Sequence, residues 1–350
     1  MKELKVFGIF LAVVLLLLTV LMAALAGNTT QVSRDRETMI QMWKQASWFS
    51  VPAQSRSHGE DGPIVWQDPG MEAHIRFLLR QPEGDIYKSQ VWDIQVLTIM
   101  PNYSTDHDSA MWAPPEGSET FDYQTVIGAT RYWEYYEGKT FPPVENLKDL
   151  VHFENLQVLC MDLLPEDGAL KDLSGLENCR DLKVLQLTNA APETLEPLAS
   201  LSGLEYLSLD CCGMLDLSWL SPLSGLRCLS VYGSGVVSLE PVAELPSLSY
   251  LDLSGGSRFP SLEPLSRSCV SYLRVSSPAD GPNGMDWDVL ARIPGLTALD
   301  LSEHPAVDTG LCRMVLAGCP GLRYLDIYGT PAAAQADTLE TDHLLAFVYS

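Results

Sequence analysis

One pattern constrains this chain more than any other. The motif apolar-x-x-Leu-x-apolar starts at Ile94, Leu156, Leu182, Leu204, Leu226, Leu248, Val270, Leu296 and Leu322. The segments read IQVLTI, LQVLCM, LKVLQL, LEYLSL, LRCLSV, LSYLDL, VSYLRV, LTALDL and LRYLDI, and the fourth position is Leu in all nine. Alternation over a few residues marks a strand with one buried face. From Leu182 to Val270 the step is 22 residues four times over, and it is 26 from Leu156 to Leu182, from Val270 to Leu296 and from Leu296 to Leu322. A strand recurring at such a period buries its leucines only by stacking on the next copy. The expected fold is therefore α/β, a curved solenoid whose concave side is a parallel sheet of about nine strands.

The return segments agree. Apolar residues recur every third position at Leu195, Leu198 and Leu201, at Leu217, Leu220 and Leu223, at Leu239, Val242 and Leu245, and at Trp287, Leu290 and Ile293. Period three suits short 3₁₀ turns, giving a 3₁₀ or irregular convex side. The register slips by one at Leu262 and Leu265. Pro197, Pro222, Pro241 and Pro264 fall in these turns, where no sheet hydrogen bond is lost.

With strands and returns together, residues 62–340 resemble a bacterial internalin-like leucine-rich repeat protein. That family often carries an Asn ladder three residues beyond the last strand leucine. Here only Asn102 matches, and Ala190, Cys212, Ser234, Gly256, His304 and Thr330 stand elsewhere. The resemblance also implies an N-terminal helical cap at DPGMEAHIRFLLRQPEGDI. The residues agree: Asp68 is an N-cap, Pro69 a first helical residue, Met71, Ile75, Leu78 and Leu79 share a face, and Pro82 and Gly84 end the helix. Such a helix would cover the open edge of the first strand.

The N-terminus sets the compartment. Lys2 and Lys5 precede an uninterrupted apolar run from Val6 to Ala26, long enough to span a hydrocarbon core. Ala24-Leu25-Ala26 before Gly27 also has the small-x-small form of a signal peptidase site, so a retained anchor and a cleaved signal are both open. Either way the remainder is expected outside the cytoplasm, membrane-anchored or secreted. The expected division is a signal or anchor over 1–27, a juxtamembrane helix and linker over 28–63, a cap over 64–93 and the repeats over 94–350. The step of 62 residues from Ile94 to Leu156 adds an insertion, 103–143, rich in aromatics such as Trp112, Tyr123, Trp133 and Tyr136.

Composition excludes several classes. With 46% hydrophobic and 19% charged residues the chain is not disordered by composition, and a net charge of −23 repels a phosphate backbone. Nucleic acid is therefore not an expected partner. Eight cysteines in an exported chain raise the question of disulfides. Cys160 and Cys228 lie three strands apart, about 14 Å, too far to bridge. Cys179 and Cys319 fall on convex core positions, Cys211 and Cys212 are adjacent with no Cys on neighbouring rungs, and a local Cys312–Cys319 link stays open. Mostly free thiols are expected.

Catalytic and metal motifs are weak. Asp106-His107-Asp108 could ligate a metal but reads more simply as a solvated loop, the oxygen set Asp280, Asn283, Asp286 and Asp288 lacks the Gly and Glu positions of a calcium hand and reads as a turn, and GSGV at Gly233 has no phosphate-loop lysine. No catalytic residue, metal ligand or cofactor is assigned.

The surface left for function is the concave sheet. Tyr206, Tyr250, Tyr272 and Tyr324 form one column, Asp252, Arg274, Asp300 and Asp326 the next, and Asp210, Tyr232 and Tyr328 belong to a third. Tyrosines on a rigid sheet offer contact area at low entropic cost, although tyrosine also suits any pleated surface. Three functions compete: a recognition module for a protein or carbohydrate ligand, as the resemblance implies, an envelope scaffold, and an enzyme using 103–143. The first is the expected one, with membrane contact through the N-terminal segment.

Overall fold

A computed structural model describes residues 58–99, 126–127, 140–163, 170–256, 261–276 and 286–349. The apolar run Val6–Ala26, Asn102, Asp106-His107-Asp108, Asp280, Asn283 and most of 103–143 lie outside the described residues. Among the described residues no helix is long and apolar enough to cross a membrane.

In chain order the elements are α1 (Pro69–Leu78), β1 (Val96–Ile99), β2 (Val126–Ile127), β3 (Val158–Asp162), β4 (Val184–Thr188), β5 (Tyr206–Asp210), β6 (Met214–Leu215), β7 (Cys228–Ser230), β8 (Gly235–Val236), α2 (Glu240–Ala243), β9 (Tyr250–Asp252), β10 (Tyr272–Arg274), β11 (Ala298–Asp300), α3 (Thr309–Gly318), β12 (Tyr324–Asp326) and β13 (Ala346–Val348). Eleven strands form one sheet in the order β13-β12-β11-β10-β9-β7-β5-β4-β3-β1-β2, and every neighbouring pair is parallel. β6 and β8 pair separately, also parallel.

The register explains the sequence pattern. Leu97, Leu159, Leu185, Leu207, Leu229, Leu251, Leu273, Leu299 and Leu325 face one another rung by rung, and each is fully buried. Burying each contributes roughly 1.5–3 kcal/mol, and only stacking makes that burial available. Opposite them run 3₁₀ turns at Lys148–His152, Leu176–Asn178, Glu196–Ser200, Ser218–Leu220, Glu263–Arg267 and Trp287–Arg292. Leu198, Leu220, Val242, Leu265 and Leu290 point from this side into the same core.

The structure corrects four expectations. The sheet has eleven strands, because β2 and β13 lengthen it at its two edges. The edge of β1 is paired by β2, within the 103–143 insertion, and not covered by the cap helix. α1 instead inserts Met71 and Ile75 into the end of the core. The convex side also carries a ten-residue α-helix, α3, where Asp308 caps Leu311 N at 2.8 Å. At the slipped register, Leu262 and Leu265 are both buried and Ser268 takes the third apolar place, its hydroxyl donating to Leu265 O at 2.9 Å. Local self-bonding makes a serine tolerable there.

α1 is held by buried carboxylates. Asp68 Oδ1 accepts from Met71 N at 2.8 Å as the N-cap, while its Oδ2 accepts from Glu145 N and Asn146 N at 2.8 and 2.9 Å. A Cβ on Gly70 would stand 2.2 Å from Pro143 O, so only glycine lets the helix start approach this segment. His58 stacks on Trp92 at 4.2 Å and joins Asp93 and Glu154 at 2.9 and 3.1 Å. Desolvation pulls its pKa down, but the hydrogen bonds to Glu154 and Asp93 outweigh this and hold it above the ordinary value.

All eight cysteines are free, including Cys312 and Cys319. At two of the Asn-ladder positions, Ser234 and Thr330, the substitute still serves the backbone. Ser234 Oγ donates to Leu209 O at 2.8 Å and accepts from Cys212 N at 2.8 Å, and Thr330 Oγ1 donates to Ile327 O at 2.7 Å.

Candidate functional site

Three columns of side chains cross the concave face, set by strand alternation. The first runs Val96, Val158, Val184, Tyr206, Cys228, Tyr250, Tyr272, Ala298, Tyr324 and Ala346. Parallel strands about 4.8 Å apart press such a column side chain on side chain. Tyr206 and Tyr250 are accordingly only 2% and 1% exposed, within a cluster that includes Val184 and Cys228. Tyr250 and Tyr272 rings lie 4.9 Å apart. Tyr324 is buried with Ala298, Ala346 and Val348, and Tyr272 is half-buried between the two clusters. Burial pushes the Tyr206 and Tyr250 phenols well above their ordinary pKa. The floor of the arc is thus a second apolar layer, not the open tyrosine surface that the column pattern suggested.

In the second column Arg274 joins two rungs. Its Nη1 donates to Asp252 Oδ2 at 3.0 Å and its Nε to Asp300 Oδ2 at 2.9 Å. The aspartates also end strands: Asp252 Oδ1 accepts from Ser254 N, Asp300 Oδ1 from Ser302 N and Asp326 Oδ1 from Tyr328 N, at 2.8, 2.9 and 2.8 Å. Each is an aspartate turn that closes onto the amide two residues on. These carboxylates are structural members as well as surface charges.

The third column holds Asp162, Thr188, Asp210, Tyr232 and Tyr328 near the strand ends. Asp210 is buried and accepts from Ser208 Oγ and Ser230 Oγ, both at 2.6 Å, and from Tyr232 N at 3.0 Å. Burial raises its pKa to about 6, against the pull of those hydroxyls. Asp162 is half-buried and stands at about 7, raised by burial and then by the charge of Asp210. Of the eleven residues singled out in the sequence, seven are buried: Tyr206, Asp210, Tyr250, Asp252, Asp300, Tyr324 and Asp326. Tyr232, Tyr272 and Arg274 are half-buried, and Tyr328 is 43% exposed. Asp162, Gln186 and Thr188 were missed. Asp162 lies six residues past Leu156, as Asp210 lies six past Leu204, and that equivalence was the available signal.

Immediately after the third column the chain turns left-handed on rung after rung. Asn189, Cys211, Gly233, Gly255, Glu303 and Gly329 have φ of 61°, 55°, 66°, 68°, 57° and 70°. These turns form the rim of the face, with Cys211, Gly233, Glu303 and Tyr328 exposed.

A parallel sheet with leucine at the same place on nine of its eleven strands, 3₁₀ returns and repeats of 22 or 26 residues admits one description. The chain is a leucine-rich repeat solenoid. No protein-family model and no curated protein matches it. Among solved structures it is similar to an internalin from Listeria monocytogenes, at 18% identity over 76% of this chain and 70% of that one, with a TM-score of 0.46. An internalin C2 from the same species shares 14% identity over 84% of this chain and 99% of that one, also at 0.46. A leucine-rich repeat protein of Leptospira interrogans shares 20% over 53% of this chain and 58% of that one, at 0.35. The leucine-rich repeat assignment stands on the strand register, and no ligand is carried over from these proteins.

Proposed function

We propose that this leucine-rich repeat chain is an exported, membrane-associated recognition protein whose partner, a protein or a carbohydrate, contacts the rim where the concave strands end. The observation that carries this reading is the set of aromatic side chains left open there. Tyr328 is exposed and Tyr232 half-buried beside a backbone locked by repeated left-handed turns, while Tyr206 and Tyr250 are closed off. Rigid aromatic anchors on loops held by a scaffold suit recognition because little side-chain entropy is lost on binding. The apolar run Val6–Ala26 behind two lysines supports export and membrane association. The closed floor favours a second reading, a scaffold of the cell envelope in which the arc selects nothing.

Crosslinking of the full-length chain in its own cells, followed by partner identification, separates the two. The double variant Tyr232→Ala with Tyr328→Ala is expected to lose a specific crosslinked partner while fractionating with the membrane as before. An unchanged crosslinking profile would overturn the recognition reading in favour of the scaffold.

A further inference from the structure

Beside the rim, Asp162 on β3 and Gln186 and Thr188 on β4 carry three oxygen acceptors on the same side, without donors among the described residues. Gln186 is 2% exposed, yet its Oε1 has no hydrogen-bond partner. Thr188 Oγ1, two residues along the same strand, is buried and also has none. Asp162 pairs with Thr188 in register from the next strand, and no hydrogen bond offsets the effects of burial and of Asp210 on its carboxyl. A buried acceptor without a donor costs about 1–3 kcal/mol, so its persistence points to something that supplies one. Strand geometry puts Gln186 and Thr188 about 7 Å apart and Thr188 about 5 Å from Asp162, measured along the backbone. That distance is within the reach of side chains converging on one small group.

We propose that Asp162, Gln186 and Thr188, backed by Asp210, form a receptor for a primary ammonium group, the lysine ε-ammonium of a protein partner. The proposal rests on the recognition reading above and gives its partner a chemistry. An ammonium has three donors and no acceptor, and the Asp162 carboxylate, Gln186 Oε1 and Thr188 Oγ1 can each accept one of them. Asp210 has both oxygens already engaged by Ser208, Ser230 and Tyr232 N, so it contributes charge and not a direct contact. A calcium ion takes six to eight oxygens, and among the described residues no group of three or more His, Cys, Asp or Glu is placed to hold a metal.

The site has a pH signature. The titratable groups near Asp162 among the described residues are Asp210 on β5, Cys211 just after it and Cys160 on β3. Burial pushes Cys160 up to about 12 and raises Cys211, so both thiols are neutral around pH 7. Binding a cation favours ionised Asp162, so affinity rises as the pH climbs through about 7 and then levels.

The test is a titration of the full-length protein with Nα-acetyl-lysine methylamide, read by carboxyl carbon resonances. The blocked lysine is expected to shift the Asp162 signal and lower its titration midpoint, whereas the Nε-acetylated, neutral probe leaves both in place. Asp162→Asn, nearly isosteric, is expected to weaken binding at least tenfold, as loss of a charge-assisted bond does. Gln186→Leu, on a different strand, is expected to weaken it several-fold. Three results would overturn the site: no shift with lysine, equal shifts with the neutral probe, or calcium chloride shifting Asp162 at lower concentration than lysine. If the blocked lysine fails while the wild-type chain still captures its partner through Tyr232 and Tyr328, this inference falls and the recognition reading stands.

Discussion

Asp149 and Asp68 lock the cap to the first turn of the solenoid across a sequence separation of 81 residues. The Asp68 amide donates to Asp149 Oδ2 at 2.9 Å, and the Gln67 amide donates to Asp149 Oδ1 at 2.9 Å. Asp68 in turn uses its own carboxylate on Met71 N, Glu145 N and Asn146 N. Both carboxylates are fully buried, and the Asp68 and Met71 amides that they hold are buried with them, while Gln67, Glu145 and Asn146 reach the surface.

Asp149→Ala leaves the buried Asp68 amide and the part-buried Gln67 amide without their acceptor, and a loss of about 1–3 kcal/mol is expected, most of it from the buried one. Urea unfolding monitored by circular dichroism measures it. Asp149→Asn keeps one acceptor oxygen and is expected to cost less. Proteolysis in the variants is expected to begin in the cap, since rungs further along depend only on their neighbours.

Glu303→Gly is expected to stabilise the chain by up to about 1 kcal/mol, because a left-handed residue with a Cβ carries strain that glycine lacks, less the extra chain entropy of glycine. Glu303 is exposed and has φ of 57°. The reverse change, Gly233→Ala, is expected to destabilise, since its Cβ would also meet Cys211 Sγ at 2.7 Å. Thermal unfolding of both variants checks the pair, and a lower midpoint for Glu303→Gly would contradict the strain argument.

Acid is expected to weaken the fold through His304. This ring is buried, with Nδ1 accepting from Ala306 N at 3.1 Å and its edge set against Trp287 at 4.8 Å. Burial lowers its pKa from 6.5 to about 4. A folded pKa below the unfolded one gives stability that is present above pH 6.5 and lost as the pH falls toward 4, here about 3 kcal/mol. His304→Asn keeps a side-chain acceptor and does not titrate. Urea midpoints at pH 7 and pH 4 are expected to differ less in this variant than in wild type.

The spine was legible because Leu97 through Leu325 sit at one repeated position and stacking demands little else of them. The cap was legible from Asp68-Pro69, a local signal. What was hidden involves partners distant in sequence. β2 borders β1 although nothing in its two residues distinguishes Val126–Ile127 from the rest of the insertion. The closure of Tyr206 and Tyr250 depends on how neighbouring rungs crowd them, which an alternating pattern does not encode. Asp252, Asp300 and Asp326 were read as surface charge. Their aspartate-x-polar spacing, as in Asp252-Leu253-Ser254, also signals turns that close strands.

The eight free thiols carry a consequence for how the molecule is made. Cys160, Cys179, Cys212 and Cys228 are buried, and burial pushes each up to about 12, far from the thiolate that attacks or is oxidised. No disulfide has to form for the arc to hold its shape, and Cys211 and Cys269 are the thiols left at the surface.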